Sequence, residues 1–231
     1  MDNFKNIVYS HSEYFDILDI FLEQQKKFGI ENILVFSDKK YNDQNEHIIY
    51  NENDVYSERL KKSLEKVKEN IILYQHEDMF LYKKPNINKV KKYINILKDS
   101  NYSFIRLCKT GDCILSKSNL LSSLWEVDPT SKDFFALQPT IWKRKSLISF
   151  LEKSNKCSGW DLELNSGKIN SSIRGLLHYD GEAARGGHFN SCVWPYVATA
   201  IVKGGWNFRE YSTELSRIKK IKKSKRQHAV W

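Results

Sequence analysis

A mixed α/β domain, doubly wound and Rossmann-like, with a mostly parallel sheet flanked by helices, is the fold class this sequence predicts. Three observations carry it. Short continuous apolar runs recur at residues 6–10 (NIVYS), 32–37 (NILVFS), 71–74 (IILY) and 103–107 (SFIRL). Segments with apolar residues at helical spacing lie between them. The resulting β-α-β-α-β-α-β order covers about 110 residues, and strands that are apolar throughout are buried on both faces, as parallel strands with crossover helices are.

The elements follow in order. After the first run, Ser12 can cap a helix reaching Phe28, with Phe15, Leu18 and Leu22 on one face and Gly29 ending it. Asn53 or Asp54 can cap a second helix, in which Leu60, Leu64 and Val67 share a face. Residues 88–100 form a third, with Val90, Ile94 and Leu97 inward. The second half is more mixed. Residues 124–127 and 134–137 read as strands or ribbons, 144–153 as a helix burying Leu147, Phe150 and Leu151, and Asn207 opens a last helix. Residues 179–190 (YDGEAARGGHFN) carry three glycines and read as a mobile loop.

The length of 231 residues fits a single domain, and 30 aromatic side chains supply ample area for a core. No apolar run approaches the roughly 20 residues of a membrane span. Residues 1–10 are too polar and acidic for a signal peptide, and four cysteines without CxxC spacing read as reduced thiols, so a cytoplasmic protein is expected, in host cytoplasm if its source is viral. The formal charge of +9 is unevenly placed. Seven of the ten residues 217–226 (RIKKIKKSKR) are Lys or Arg, and without them the body stands at +2. We therefore expect a domain over residues 1–215 and a basic tail over 216–231. Such a tail is a solvated end or a peripheral contact for an anionic membrane surface; nucleic acid is not expected as a partner.

In doubly wound sheets ligands bind beyond the carboxyl ends of the strands. The polar residues there are Ser10, His11 and Ser12 after the first strand, Ser37 and Asp38 after the second, and His76, Glu77 and Asp78 after the third. An acidic group following a buried strand suits a hard divalent cation, which takes one or two carboxylates and fills its shell with water and phosphate oxygens. His76 adds a nitrogen that Mn²⁺ accepts. The alternative is a loop of ordinary surface acids.

The segment LYQHEDMFL (residues 73–81) resembles the metal-binding stretch of GT-A glycosyltransferases, with His76-x-Asp78 in place of a strict Asp-x-Asp. Three further segments share the likeness: Tyr56-Ser57-Glu58-Arg59-Leu60, a Ser-x-Arg helix start; residues 136–142 (ALQPTIW), similar to an L-Q-P-x-x-W segment; and residues 203–207 (KGGWN), similar to K-G-x-W before the last helix. In their order and spacing they resemble the small GT-A domain of a chlorella-virus glycosyltransferase and related bacterial proteins, a resemblance that spans about residues 4–215.

The resemblance implies a metal-assisted glycosyltransferase, taking a UDP- or GDP-sugar donor and a hydroxyl on a glycan or glycoprotein acceptor. It implies Mn²⁺ or Mg²⁺ held by Asp78 with His76 or Glu77, and with His188 from the glycine-rich loop. Donor binding falls to Ser10, His11, Ser12, Ser37, Asp38, Ser57, Arg59 and Gln138; a guanidinium such as that of Arg59 grips a diphosphate bidentately. The general base is sought in Ser158-Gly159-Trp160-Asp161-Leu162-Glu163. Asp161 and Glu163 are two apart and point in different directions, so one acts, and Asp161 is preferred. Each position has an ordinary alternative: a cap at Ser12, a turn at Asp38, a helix-start acid at Asp161, a solvated His188.

Two competing readings belong to other classes. A metal-dependent nucleotidyltransferase normally needs a glycine-rich, basic phosphate turn after the first strand, and Ser10-His11-Ser12 has no glycine. A non-catalytic, basic-tailed binding module predicts salt-sensitive binding that is lost with the tail.

Overall fold

A computed structural model describes residues 4–42, 44–111, 113–169, 172–185, 187–222 and 226. The first three apolar runs become strands β1 (Phe4–Tyr9), β2 (Ile33–Ser37) and, after an edge strand β3 (Glu46–Ile49), β4 (Ile71–His76). The remaining sheet strands are β5 (Phe104–Arg106), β6 (Leu115–Lys117), β7 (Leu124–Val127), β8 (Thr140–Lys143) and β9 (Gly175–His178). They form one nine-stranded sheet in the order β3-β2-β1-β4-β8-β5-β9-β7-β6, in which β7 and β8 run against the other seven. The mostly parallel sheet flanked by helices is the expected fold class.

Alternate residues explain why the strands read as unbroken apolar runs. Val8, Val35 and Leu73 face one core with helices α1 (Phe15–Lys27) and α3 (Ile87–Asp99). Ile7, Leu34 and Ile72 face the other, with α2 (Tyr56–Glu65), α4 (Arg144–Lys153) and α5 (Gly159–Asn165). The predicted inward faces of α2, α3 and α4 are buried.

Local signals were less faithful than periodicity. Ser12 does not cap α1: a 3₁₀ turn (Ser12–Tyr14) intervenes, and the ring of His11 accepts from the Glu13 amide at 3.2 Å. Neither Asn53 nor Asp54 caps α2; Val55 occupies that position, and Asp54 pairs with Lys62 at 2.8 Å. Residues 134–137 are not a strand but a turn-rich buried segment, in which Phe134 and Phe135 plug the core beside Trp142 and Phe150. The strand lies just beyond, as β8, where Gln138-Pro139 releases the chain into antiparallel pairing with β4 and β5.

The last helices are α6 (Phe208–Ser216), capped by Asn207 as expected, and α7 (Lys219–Lys222). The expected boundary at residue 215 falls inside α6, and beyond it Ile218 and Ile221 bury into the main core. Lys220 pairs with Asp19 and Glu23 of α1, and Arg226 with Asp16. Of the basic run, residues 223–225 lie outside the described residues. No described helix is long and apolar enough to cross a membrane.

One position on β9 has no room for any side chain. A Cβ at Gly175 would stand 1.9 Å from the Phe104 ring, which is locked between Phe134 and Trp142. Gly175→Ala is expected to cost about 3 kcal/mol or more of stability, at the upper end of overpacking effects, read as a fall in denaturation midpoint.

Candidate functional site

Parallel pairing aligns the carboxyl ends of β2, β1 and β4, with Tyr9 opposite both Phe36 and His76. The chain leaving β1 is held tightly. The Ser10 amide donates to the Phe36 carbonyl, and its carbonyl accepts from the Tyr50 hydroxyl at 2.8 Å. Asp38 then receives Ser12 twice, from the amide at 2.6 Å and from Oγ at 2.7 Å. Burial pushes the Asp38 carboxyl up, but the Ser12 bonds and nearby His11 outweigh it, so the group titrates below the usual carboxylate range. His11 Nε2 lies 3.1 Å from Glu52 and 3.8 Å from Asp38, so His11, Asp38 and Glu52 gather three ligand atoms at this corner.

Beside it is an aromatic box. The Tyr56 and Tyr74 hydroxyls are 2.6 Å apart, and each lies 3.0 Å from His76 Nε2. Tyr9 stacks on Tyr50 at 5.1 Å and meets Tyr56 edge-on. Burial pushes the His76 ring down to about 4 and both box phenols well above their ordinary range, so all three are neutral at physiological pH. The Arg59 guanidinium stands 5.3 Å over the Tyr50 ring and donates to the carbonyls of Glu52 and Asp54, which fixes the loop carrying Glu52.

Beyond His76 the chain turns, and Glu77 and Asp78 place two adjacent carboxyls in a half-buried position. Burial and the neighbouring Asp78 charge push Glu77 well up; burial pushes Asp78 up to about 7 against a bond from the Ile201 amide. Glu77 Oε2 is buried with no hydrogen-bond partner. Arg226 offsets part of the charge at Glu77, and two carboxyls raised by burial, one with an orphaned oxygen, are a donor set a hard cation takes. Glu77 and Asp78 therefore fit Mn²⁺ or Mg²⁺. The wider expected set does not converge: among the described residues, His76, Glu77, Asp78 and His188 form no cluster of ligand atoms. His76 Nε2 is taken by the two tyrosines. His188 sits on a ribbon formed by β10 (Ala184–Arg185) and β11 (His188–Phe189), its Nε2 3.5 Å from Thr199 Oγ1 and its Nδ1 buried without a partner.

Helix α5 closes the other side. Ser158 caps it, its Oγ accepting from the Asp161 amide and donating to Asp161 Oδ2 at 2.6 Å. Asp161 is thus an exposed capping acid. Glu163 turns inward, accepts from the Leu137 amide at 2.5 Å and is pushed up by burial. Its charge is felt by Tyr56 in the box. Gly159 lets α5 approach, since a Cβ there would meet Leu137 at 3.2 Å and Tyr56 at 3.5 Å. Trp160 remains 68% exposed.

The side chains of the other expected binding residues are engaged within the fold. Ser37 Oγ donates to the Lys39 carbonyl at 2.5 Å, closing a turn. Ser57 is buried and clamps α2 to residues 155–157, accepting from the Cys157 amide at 3.0 Å. Gln138 buries its amide carbonyl against the Tyr196 hydroxyl. In the glycine-rich loop, Arg185 pairs with Glu214 and donates to the Glu210 carbonyl.

No family model matches the chain, and no curated protein matches its sequence. Solved structures do. CMP:2-keto-3-deoxy-manno-octonic acid synthetase, solved with CTP, aligns with TM-score 0.54 and 11% identity over 86% of this chain and 94% of its own. A UDP-glucose pyrophosphorylase complexed with UDP-glucose aligns at 0.47 and 8%, covering 76% and 90%. TarS residues 1–349 from S. aureus align at 0.46 and 13%, covering 94% and 64%. The fold is a Rossmann-like α/β domain.

Sequence reasoning missed the box tyrosines and Glu52, and it preferred Asp161 to Glu163, the one that turns inward. A signal existed for part of this. Tyr74 and His76 alternate on one strand and so share a face. Tyr50 and Glu52 come from a loop whose return to β1 no local pattern announces.

Proposed function

We propose that this protein is a metal-assisted glycosyltransferase of GT-A type, moving a sugar from a UDP- or GDP-sugar to a hydroxyl of a glycan or glycoprotein. The observation that carries the reading is the Glu77–Asp78 pair at the carboxyl end of β4, with one buried oxygen lacking a partner. Glu77 and Asp78 would hold Mn²⁺ or Mg²⁺, whose charge offsets that of the departing nucleoside diphosphate. The neighbouring corner of Tyr9, His11, Asp38, Tyr50, Glu52 and Arg59 offers aromatic faces and hydrogen-bond acceptors for a base and ribose.

Glu163 serves as general base. Its carboxylate takes the acceptor hydroxyl proton as that oxygen bonds to the anomeric carbon, while the bond from that carbon to the phosphate oxygen breaks and the nucleoside diphosphate leaves. A carboxyl with raised pKa suits this task near neutral pH. Asp161, already committed to its cap, is the weaker choice. Trp160 provides an exposed face for an acceptor sugar, and Trp160→Ala is expected to raise the acceptor KM about tenfold, the equivalent of one stacking contact, with kcat little changed.

Nucleotidyl transfer is the second reading, favoured by the fold likeness to a synthetase whose structure holds CTP. Against it stands Asp38. An ionised carboxylate closes the turn after β1, where a nucleotidyltransferase needs donors for a triphosphate. A thermal-shift screen of UDP, GDP, CDP and their sugars, each with Mn²⁺, Mg²⁺ or EDTA, tests nucleotide binding. A ligand at 100 times its Kd stabilises by about 2.7 kcal/mol, and a metal-dependent shift with UDP or GDP is expected. No shift with any of them in folded protein would remove the reading.

A further inference from the structure

A second cluster, outside the candidate site, gathers one imidazole, one carboxylate and one thiol. His178 ends β9, three places along the sheet from β4, and its side chain is buried. Glu182 follows in the loop and Cys192 lies after β11. These three offer ligand atoms all within 4.8 Å of one another.

The hydrogen bonding around His178 is crowded in an informative way. Its Nδ1 faces the Tyr93 hydroxyl at 2.9 Å, and that hydroxyl is itself 3.2 Å from Ser123 Oγ. Only Nε2 is left, and two groups converge on it: Glu182 Oε1 at 2.7 Å and Cys192 Sγ at 3.2 Å. One ring nitrogen has one proton or one lone pair, so it cannot serve both well. Glu182 is held in place, its Oε2 accepting from the Asp180 amide at 2.6 Å and its Oε1 from the Cys192 amide at 3.3 Å.

We propose that His178, Glu182 and Cys192 form a binding site for zinc or a similar borderline-soft divalent ion. Nitrogen, sulfur and carboxylate oxygen are the zinc donor types, and bond lengths near 2.0–2.3 Å put tetrahedral ligands roughly 3.3–3.7 Å apart. Opening the cluster by under about an ångström reaches that spacing. Tyr93 supplies what a ligating histidine normally has, a partner on its other nitrogen that fixes the ring. The thiol discriminates against Mg²⁺, which takes oxygen ligands, so this site and the Glu77–Asp78 pair select different metals. Binding converts the thiol to a thiolate and releases its proton to solvent; three protein ligands leave the fourth position to water. The ion would tie β9 to the chain after β11 and clip shut the loop expected to be mobile, on whose ribbon His188 sits.

The test uses the full chain without a histidine tag, loaded with zinc, dialysed against metal-free buffer and analysed for metal by mass spectrometry. About one zinc per chain is expected. The cobalt-substituted protein should show a thiolate-to-cobalt charge-transfer band. Cys192→Ser, at an exposed position and so little threat to folding, should lose the band and weaken zinc binding by more than about 100-fold, beyond the 10- to 100-fold of outer-sphere changes. Glu182→Gln should also weaken zinc binding, while Asp78→Asn should retain it. Wild-type protein that keeps no zinc would overturn the proposal. So would zinc kept by Cys192→Ser with an unchanged cobalt spectrum, or zinc lost in Asp78→Asn alone.

Discussion

Asp78→Asn is expected to reduce metal-dependent donor turnover by about 10³-fold, the equivalent of several kcal/mol of charge stabilisation at the leaving phosphate. The same substitution has a signature that needs no substrate. Without metal, the Asp78 pKa is raised from 3.8 to about 7 in the folded protein. A group raised on folding contributes stability that is full below its unfolded pKa and lost as pH rises through the folded one. Wild type in metal-free buffer should therefore lose ground to Asp78→Asn between about pH 4 and pH 7. A Mn²⁺ titration above pH 7 should restore wild type and leave the variant unmoved. Thermal melts across that pH range, with and without Mn²⁺, check both. His76 works in the opposite sense: depressed to about 4, it withdraws stability as pH falls from 6.5 towards 4, equally in both proteins, so the difference between them reports Asp78 together with its coupling to Glu77.

Glu163→Gln is expected to lower kcat by about 10² to 10⁴, the usual contribution of a positioned base, with donor affinity kept. The amide preserves the bond from the Leu137 amide, so the fold should hold. In wild type kcat should rise with pH through the raised Glu163 pKa and then level; in the variant that limb should vanish. Asp161→Asn is the control. It touches only its own helix cap and should change kcat little. Pre-steady-state kinetics with saturating donor separates these outcomes.

The order of the first half was legible because it depends on periodicity. Ile7, Leu34 and Ile72 against Val8, Val35 and Leu73 leave no polar face, and only a sheet covered on both sides accepts such strands. In the second half β7 and α4 fall where expected, but the sheet order was not legible because its pairing is non-local. β8 crosses from residue 140 to lie between β4 and β5, and no feature of its own four residues announces that partner. The cap at Ser12 failed for a related reason: Ser12 has a stronger partner in Asp38, 26 residues away, than its own helix offers.

The site divides in the same manner. Residues read from their position after a strand, Ser10 to Ser12, Asp38 and His76 to Asp78, do stand together at the carboxyl ends of neighbouring strands. Residues read from short segments scattered. Ser57 and Gln138 spend their polar atoms inside the fold, and Asp161 faces its own cap while Glu163 turns inward, because an acid three residues after a capping serine is drawn to the cap. Glu52 was invisible, since its approach to His11 spans 41 residues.

Transfer of a sugar from a nucleoside diphosphate is read most directly from which phosphate product forms. The purified chain would be incubated with Mn²⁺ and either UDP- or GDP-sugars with a glycan acceptor panel, or nucleoside triphosphates with sugar 1-phosphates. Release of UDP or GDP from the first mixture, lost in Asp78→Asn, is the result expected. Pyrophosphate released from the second mixture, with no nucleoside diphosphate from the first, would contradict it and assign the carboxyl ends of β1 and β4 to nucleotidyl transfer.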